Sequence, residues 1–239
     1  MKITIGHLYP DLLNLYGDRG NIQCMKKRCE WRGIEVRVRE FKLSDEIDFT
    51  ELDIVLLGGG SDREQMIVSK RLNEIKGSFH DYVENNGVVI AVCGGYQLLG
   101  NYYQIEDNKI KCLGLIDFYT EQKEGRLIDN VVLESDLCEM PVVGFENHGG
   151  RTFIGNHQPF GKVLYGNGND GESGYEGIVY KNVIGTYIHG PLLPKNPQIC
   201  DWLITKALER KYQKEITLKV LEDKEEREAN RYIASRFSQ

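Results

Sequence analysis

The residues best suited by type to do chemistry are one cysteine and one histidine. Cys93 lies in "NGVVIAVCGGYQLLG" (86–100), after an apolar run that ends at Val92 and before two glycines and a helix-forming segment. A nucleophile held on a sharp strand-to-helix turn needs small neighbours because the backbone is crowded there. Gly94 and Gly95 meet that need, although Ala91 takes the place of the first glycine of the hydrolase form. The start of a helix carries partial positive charge and unpaired N–H groups, so the thiolate is expected to be favoured. The Gly94 N–H would also face a developing oxyanion. A second donor is needed, and "LLGGGSDRE" (56–64), a glycine-rich loop after another buried run, can supply it. Such a loop opens on the same carboxyl edge of a parallel sheet. It lacks the GxxxxGK[ST] spacing of a phosphate cradle.

A thiol nucleophile needs a base, and histidines stand at 7, 80, 148, 157 and 189. His80 falls on an amphipathic helix, His157 in a loop and His7 near the end of the first strand. His148, in "GFENHGGRT" (144–152), follows a strand in a polar turn and suits binding. His189, in "VIGTYIHGPLLP" (183–194), ends a strand before a Gly-Pro turn. A parallel sheet would bring it to the edge that carries Cys93, as a general base. A capping or core role for this histidine remains the competing reading. Pro191 occupies the position two residues further on and offers no carboxylate to orient the ring.

Around these residues, strands are predicted over 2–8, 34–41, 52–60 and 87–92, with helices over 21–32 and 63–85 and another starting within 95–103. This alternation predicts an α/β fold, a single doubly wound and mostly parallel sheet. The second half reads as more irregular. Short strands are expected at 131–133, 142–145, 163–165, 178–180 and 183–188, with a flexible surface loop or hairpin over 166–177 and helices at 197–212 and 219–236. No repeat or linker divides the chain, so one domain over 1–239 is expected, its core to about residue 212 and a charged helix in 213–239.

Bulk properties narrow the function classes. Hydrophobic residues make up 41% and charged residues 28% of the 239, as in an ordinary globular protein. A net charge of −6 does not favour nucleic-acid binding. There is no apolar run long enough to span a membrane and no pattern of a secretory leader, so a cytoplasmic location is expected. The six cysteines form no CxxC pair, so a metal site is not expected.

Taken together, "CGGYQLL", "GGG" at 58–60 and "YIHG" resemble class I, triad-type glutamine amidotransferases, and "GFENHGG" (144–150) resembles their cobyric acid synthase branch. "LYPDLLNLYGDRGNI" (8–22), "LLGGGSDREQ" (56–65) and "GFENHGGRT" are similar to the glutaminase subunits of lipid II isoglutaminyl synthases, which serve peptidoglycan synthesis. The resemblance implies a flavodoxin-like sheet and glutamine hydrolysis by Cys93 and His189, with oxyanion donors at Gly59 and Gly94. It implies glutamine binding by Arg126 (or Arg151), Gln97, Glu146, Asn147 and His148. It implies no cofactor in this chain. Ammonia would pass to a Mur-ligase-like synthetase subunit that carries ATP and magnesium and supplies the acid that Pro191 cannot, with Glu146 the candidate within the chain. Three rivals are a corrinoid amidotransferase module, a stand-alone γ-glutamyl cysteine hydrolase and a regulatory module with a redox-sensing cysteine.

Overall fold

The computed structural model describes residues 1–237, and within them every side chain but that of Tyr16. The first half runs β1 (Lys2–Leu8), α1 (Arg19–Glu30), β2 (Glu35–Phe41), β3 (Ile54–Leu57), α2 (Asp62–Glu74), α3 (Lys76–Glu84), β4 (Val88–Val92) and α4 (Gly94–Leu99). Every residue of β3 and β4 is buried, which is why both read as unbroken apolar runs. They occupy the middle of a six-stranded sheet of order β11-β12-β4-β3-β1-β2, in which β11 (Ile178–Tyr180) and β12 (Val183–Thr186) come from much later in the chain. The strands from β12 to β2 run parallel and β11 is antiparallel. Their carboxyl ends therefore share one edge. One continuous apolar core, from Ile3 to Leu208, fills the space around the sheet.

The expected helix over 63–85 is two helices. Ser61 and Glu64 form a capping box that starts α2. The helix ends at Ile75, whose ψ of 13° has left the helical region, and Gly77 follows at the start of α3.

The second half departs further from the sequence reading. Of the strands expected there, 178–180 and 183–186 complete the first sheet, whereas those at 131–133, 142–145 and 163–165, with much of the chain read as loops around them, are parts of a second sheet. It comprises β5 (Tyr102–Ile105), β6 (Asn108–Lys111), β7 (Tyr119–Glu134), β8 (Val142–Phe153), β9 (Gly161–Tyr165), β10 (Tyr175–Glu176) and β13 (Ile188–His189). β7 and β8 pair antiparallel from Tyr119↔Phe153 to Leu133↔Val142, with a register shift between Gln122 and Leu127. Their outer halves are polar because they face the site, so no apolar alternation marked them as strands. The expected helix over 95–103 stops at Leu99. A Cβ on Gly100 would lie 2.6 Å from the Phe118 ring, and the chain enters β5 two residues later. The remaining helices are α5 (Leu192–Lys195), α6 (Pro197–Tyr212) and α7 (Lys224–Phe237). Buried Arg28 of α1 donates to both Asp201 of α6 and Asp223, so a charge pair in the interior ties the start of α7 to the first sheet's helices.

"VIGTYIHG" joins the two sheets. Thr186 still pairs with Val92 of β4, whereas His189 pairs antiparallel with Phe145 of β8. The switch at Tyr187 would strand backbone donors in the interior. Fully buried Glu176 accepts from the Tyr187 N–H at 2.6 Å and from Thr186 Oγ1, and that hydroxyl accepts from the Ile188 N–H at 3.0 Å.

Burial pushes the Glu176 carboxyl up to about 8, against the opposing pull of the Tyr187 and Thr186 hydrogen bonds. The folded state thus holds this proton more tightly than the unfolded chain does, and the group costs stability as pH rises from its ordinary value to about 8. Glu176→Gln keeps an acceptor for Tyr187 and cannot ionise. Its stability relative to the wild type should grow between about pH 5 and pH 8 in urea titrations run across that range. A difference independent of pH would contradict the assignment.

Candidate active site

Cys93 adopts φ 50° and ψ −108°, a conformation costly for a residue with a side chain. The surrounding backbone enforces it. The Cys93 N–H donates to the Thr186 carbonyl at 2.8 Å, the Gln97 N–H to the Cys93 carbonyl at 3.0 Å and the Gly95 N–H to the Gly58 carbonyl at 3.0 Å. A Cβ on Gly95 would lie 2.3 Å from the Leu57 carbonyl oxygen. The elbow and the glycine-rich loop are therefore in backbone contact.

Gly59 sits at the meeting point. A Cβ built there would lie 3.2 Å from Cys93 Cβ and 3.3 Å from His189 Cε1. The chain thus brings Cys93, His189 and the glycine loop together, as the sequence reading expected. The expected role of the Gly59 N–H is different in this state, because it donates to Asp18 Oδ2 at 2.7 Å, while the Gly59 carbonyl accepts from the Leu15 N–H at 2.9 Å.

A cavity of about 280 Å³ opens beside Cys93. Its walls include Gln97 of α4, Arg126 and Gln122 of β7, and Asn147 and His148 of β8. Arg126 is oriented by Asn147, donating to its side-chain oxygen at 2.7 Å and its carbonyl at 2.8 Å. Arg151, the alternative, is buried instead and donates to the Gly149 and Gly125 carbonyls, bracing the hairpin that carries Arg126. Gln97 donates to the Tyr187 hydroxyl at 3.1 Å, and the His148 ring stacks on Tyr187 with centroids 3.6 Å apart. Glu146 lies behind the wall. It is fully buried and accepts from the Asn167 and Gly168 N–H groups and from the Asn167 side chain, with one oxygen 3.4 Å from His148 Nε2. Its place is that of a support for His148 and the 166–168 turn.

Sequence reasoning did not single out Asp18, Gln65, Gln122, Tyr103 or Tyr187. Tyr103 lies in a segment expected to start a helix, Gln65 closes the quoted "LLGGGSDREQ" without being given a role, and Gln122 carries no motif. Asp18 lies within the quoted "LYPDLLNLYGDRGNI", where no role was given to its carboxylate.

The electrostatics also differ from the expectation of a thiolate. Burial first, then the charge of Asp18, push the Cys93 thiol up to about 12, outweighing the Gly94 N–H and Arg126. Burial, with the charges of His148, Arg126 and Lys195, holds His189 down to about 3. Near neutral pH the pair rests as thiol and neutral imidazole. The elbow helix has only six residues and cannot offset burial of this depth. Alkylation of Cys93 by iodoacetamide in the isolated chain should therefore rise about tenfold per pH unit from pH 7 to pH 10. Peptide mass spectrometry would follow it site by site, and a plateau near neutral pH would refute the neutral-pair description.

Comparison with known proteins gives the chain relatives in sequence and in fold. Residues 4–197 match the CobB/CobQ-like glutamine amidotransferase domain. The chain is 47% identical over 211 residues to the Staphylococcus aureus (strain N315) "Lipid II isoglutaminyl synthase (glutamine-hydrolyzing) subunit GatD", covering 88% of this chain and 86% of that one. It is 43% identical over 225 residues to the subunit of the same name from Streptococcus pneumoniae (strain ATCC BAA-255 / R6), covering 93% and 86%. A solved glutamine amidotransferase from Thermotoga maritima shares the fold with a TM-score of 0.54 at 13% identity, over 89% of this chain and 99% of that one. The family match spans most of the chain, and the chain belongs to the CobB/CobQ-like glutamine amidotransferase family.

Proposed function

We propose that this chain is the glutamine-hydrolysing subunit of a lipid II isoglutaminyl synthase. In that reading ammonia released here reaches a Mur-ligase-like synthetase that amidates the D-glutamate α-carboxyl of the precursor. The observation that carries the chemistry is that Cys93 and buried His189 both flank Gly59, beside a cavity of about 280 Å³ that Cys93 lines. The identity to two subunits of that enzyme, over most of both chains, supports the acceptor.

The steps follow from the resting charges. Cys93 attacks the side-chain amide carbon of glutamine as its proton passes to His189 Nε2 or Nδ1. The carbonyl oxygen becomes an oxyanion facing the Gly94 N–H and the glycine loop. Imidazolium returns the proton to the departing nitrogen, ammonia leaves, and a glutamyl thioester remains. Water, deprotonated by His189, hydrolyses the thioester and restores the thiol. Because His189 is held at about 3, carrying that proton in so buried a place is costly. A carboxylate that pairs with the imidazolium would lower this cost. Pro191 stands at the usual position, and Glu146 is committed to His148 and the 166–168 turn. The synthetase subunit is therefore the proposed source of an acid near His189. Arg126 is the proposed clamp for the glutamine α-carboxylate, since a guanidinium held by Asn147 projects into the cavity wall.

A glutamine-like chloroketone should label Cys93, and Cys93→Ser should abolish ammonia release. Labelling at Cys24 or Cys112 instead would sink the assignment. Addition of the synthetase subunit should raise the glutaminase rate by roughly a hundredfold or more, on the scale of repairing a triad that lacks its orienting acid. Equal rates with and without it would favour a stand-alone hydrolase. Arg126→Ala should raise KM for glutamine by roughly tenfold or more, because it removes a charged contact made by the bound substrate. An unchanged KM would move the carboxylate clamp elsewhere.

A further inference from the structure

Asp18 has no place in the chemistry above, yet it touches the loop that the chemistry needs. It follows a short turn, Leu15–Gly17, and precedes α1. Its side chain is fully buried. Oδ2 takes the Gly59 N–H at 2.7 Å, and Oδ1 is buried with no hydrogen-bond partner among the described residues. Burial of a carboxylate with one oxygen unsatisfied is costly. A residue serving only to support the loop would more cheaply be a neutral acceptor. The same segment grips Gly59 a second time, through the Leu15 N–H and the Gly59 carbonyl.

The geometry points to a positioning role: Asp18 holds the Gly59 N–H away from the reacting centre, so that this donor reaches an oxyanion at Cys93 only when the 13–18 segment releases it. The inference rests on the proposed glutamine-hydrolysing reading. Gly59 is the loop residue beside both Cys93 and His189, so its N–H is the donor best placed to serve the thiol's substrate. Burial pushes the Asp18 carboxyl up to about 7, against the pull of the Gly59 hydrogen bond, so near neutral pH it is ionised in part, and in that form it opposes the reaction twice. It occupies the donor, and its charge disfavours the Cys93 thiolate. The segment is also linked to the other side of the site. The Gly20 Cα packs against the Pro191 ring, where an added Cβ would come within 2.3 Å, and Asn21 Oδ1 accepts from the Leu193 N–H at 2.9 Å. A movement of residues 13–21 would be felt by the glycine loop and by the turn after His189 together. Asp11, Leu15, Gly17 and Arg19 on this segment are exposed, so the synthetase subunit has a surface here on which to act.

The test uses the full chain, alone and with the synthetase subunit, as wild type, Asp18→Asn and Asp18→Ala. Asparagine keeps an acceptor for Gly59 without the charge, and alanine removes both. Labelling of Cys93 by the glutamine-like chloroketone in the isolated chain should accelerate in the order wild type, Asn, Ala, with Ala faster by on the order of ten- to a hundredfold, the scale of one oxyanion donor. Glutaminase kcat should follow the same order with KM within about twofold, and stimulation by the synthetase should shrink accordingly. Slower or unchanged labelling in variants with native circular dichroism would overturn the role of Asp18 and make it a structural support. If Asp18→Ala does not fold, Asp18→Asn decides on the same criteria. If wild-type Cys93 is never labelled, with or without the synthetase, the glutamine-hydrolysing reading fails and this inference with it. A labelled wild type with no acceleration in the variants removes only the role of Asp18.

Discussion

Where the Gly95 N–H meets the Gly58 carbonyl, two backbones touch with no side chain between them. The contact welds the loop after β3 to the elbow after β4. It sets how far Cys93 stands from Gly59, and with the Thr186 hydrogen bond to Cys93 it absorbs the strained φ of the nucleophile. A side chain at Gly95 would force the two loops apart before it disturbed anything else. The buried strands β3 and β4 supply the rigidity this needs, because their registers against β1 and β12 leave neither strand free to slide.

The second constraint is polar. His189 comes to lie beside Gly59 and the elbow only because the chain leaves the parallel sheet at Tyr187 and enters the other sheet at the next residue, Ile188. Such a crossing interrupts a hydrogen-bond ladder in the interior. Glu176 fills the gap on one side, and Glu146 holds the 166–168 turn and His148 on the other. These acids sit behind the reacting groups and touch none of them. Ionisation of Glu176 is costly, and this part of the site's geometry is kept at the expense of stability.

The first hundred residues were legible because burial on both faces makes parallel strands apolar throughout, and helices between them carry the longer period. The same logic located Cys93, the glycine loop and His189. It could not find the outer halves of β7 and β8. Thr120, His148 and Thr152 fill their inner face, so polarity there marks a pocket wall where the pattern suggests a loop. Nor could it reveal that "YIHG" belongs to two sheets, since the switch depends on Glu176 at a distance in sequence. Asp18 was invisible for a similar reason. Its partner Gly59 lies 41 residues away, and nothing local in "YGDRGN" separates a buried carboxylate from a solvated one.

The protonated state of Cys93 has a consequence for chemical survival. Peroxides and disulfides attack thiolates far faster than thiols. With burial and the Asp18 charge pushing the thiol far above its ordinary value, very few molecules carry a thiolate at neutral pH. Nearly full burial adds a barrier to access. The resting nucleophile is thus shielded from oxidation by the same burial and the same carboxylate that slow its reaction with substrate. Any event that wakes this cysteine also exposes it to oxidants.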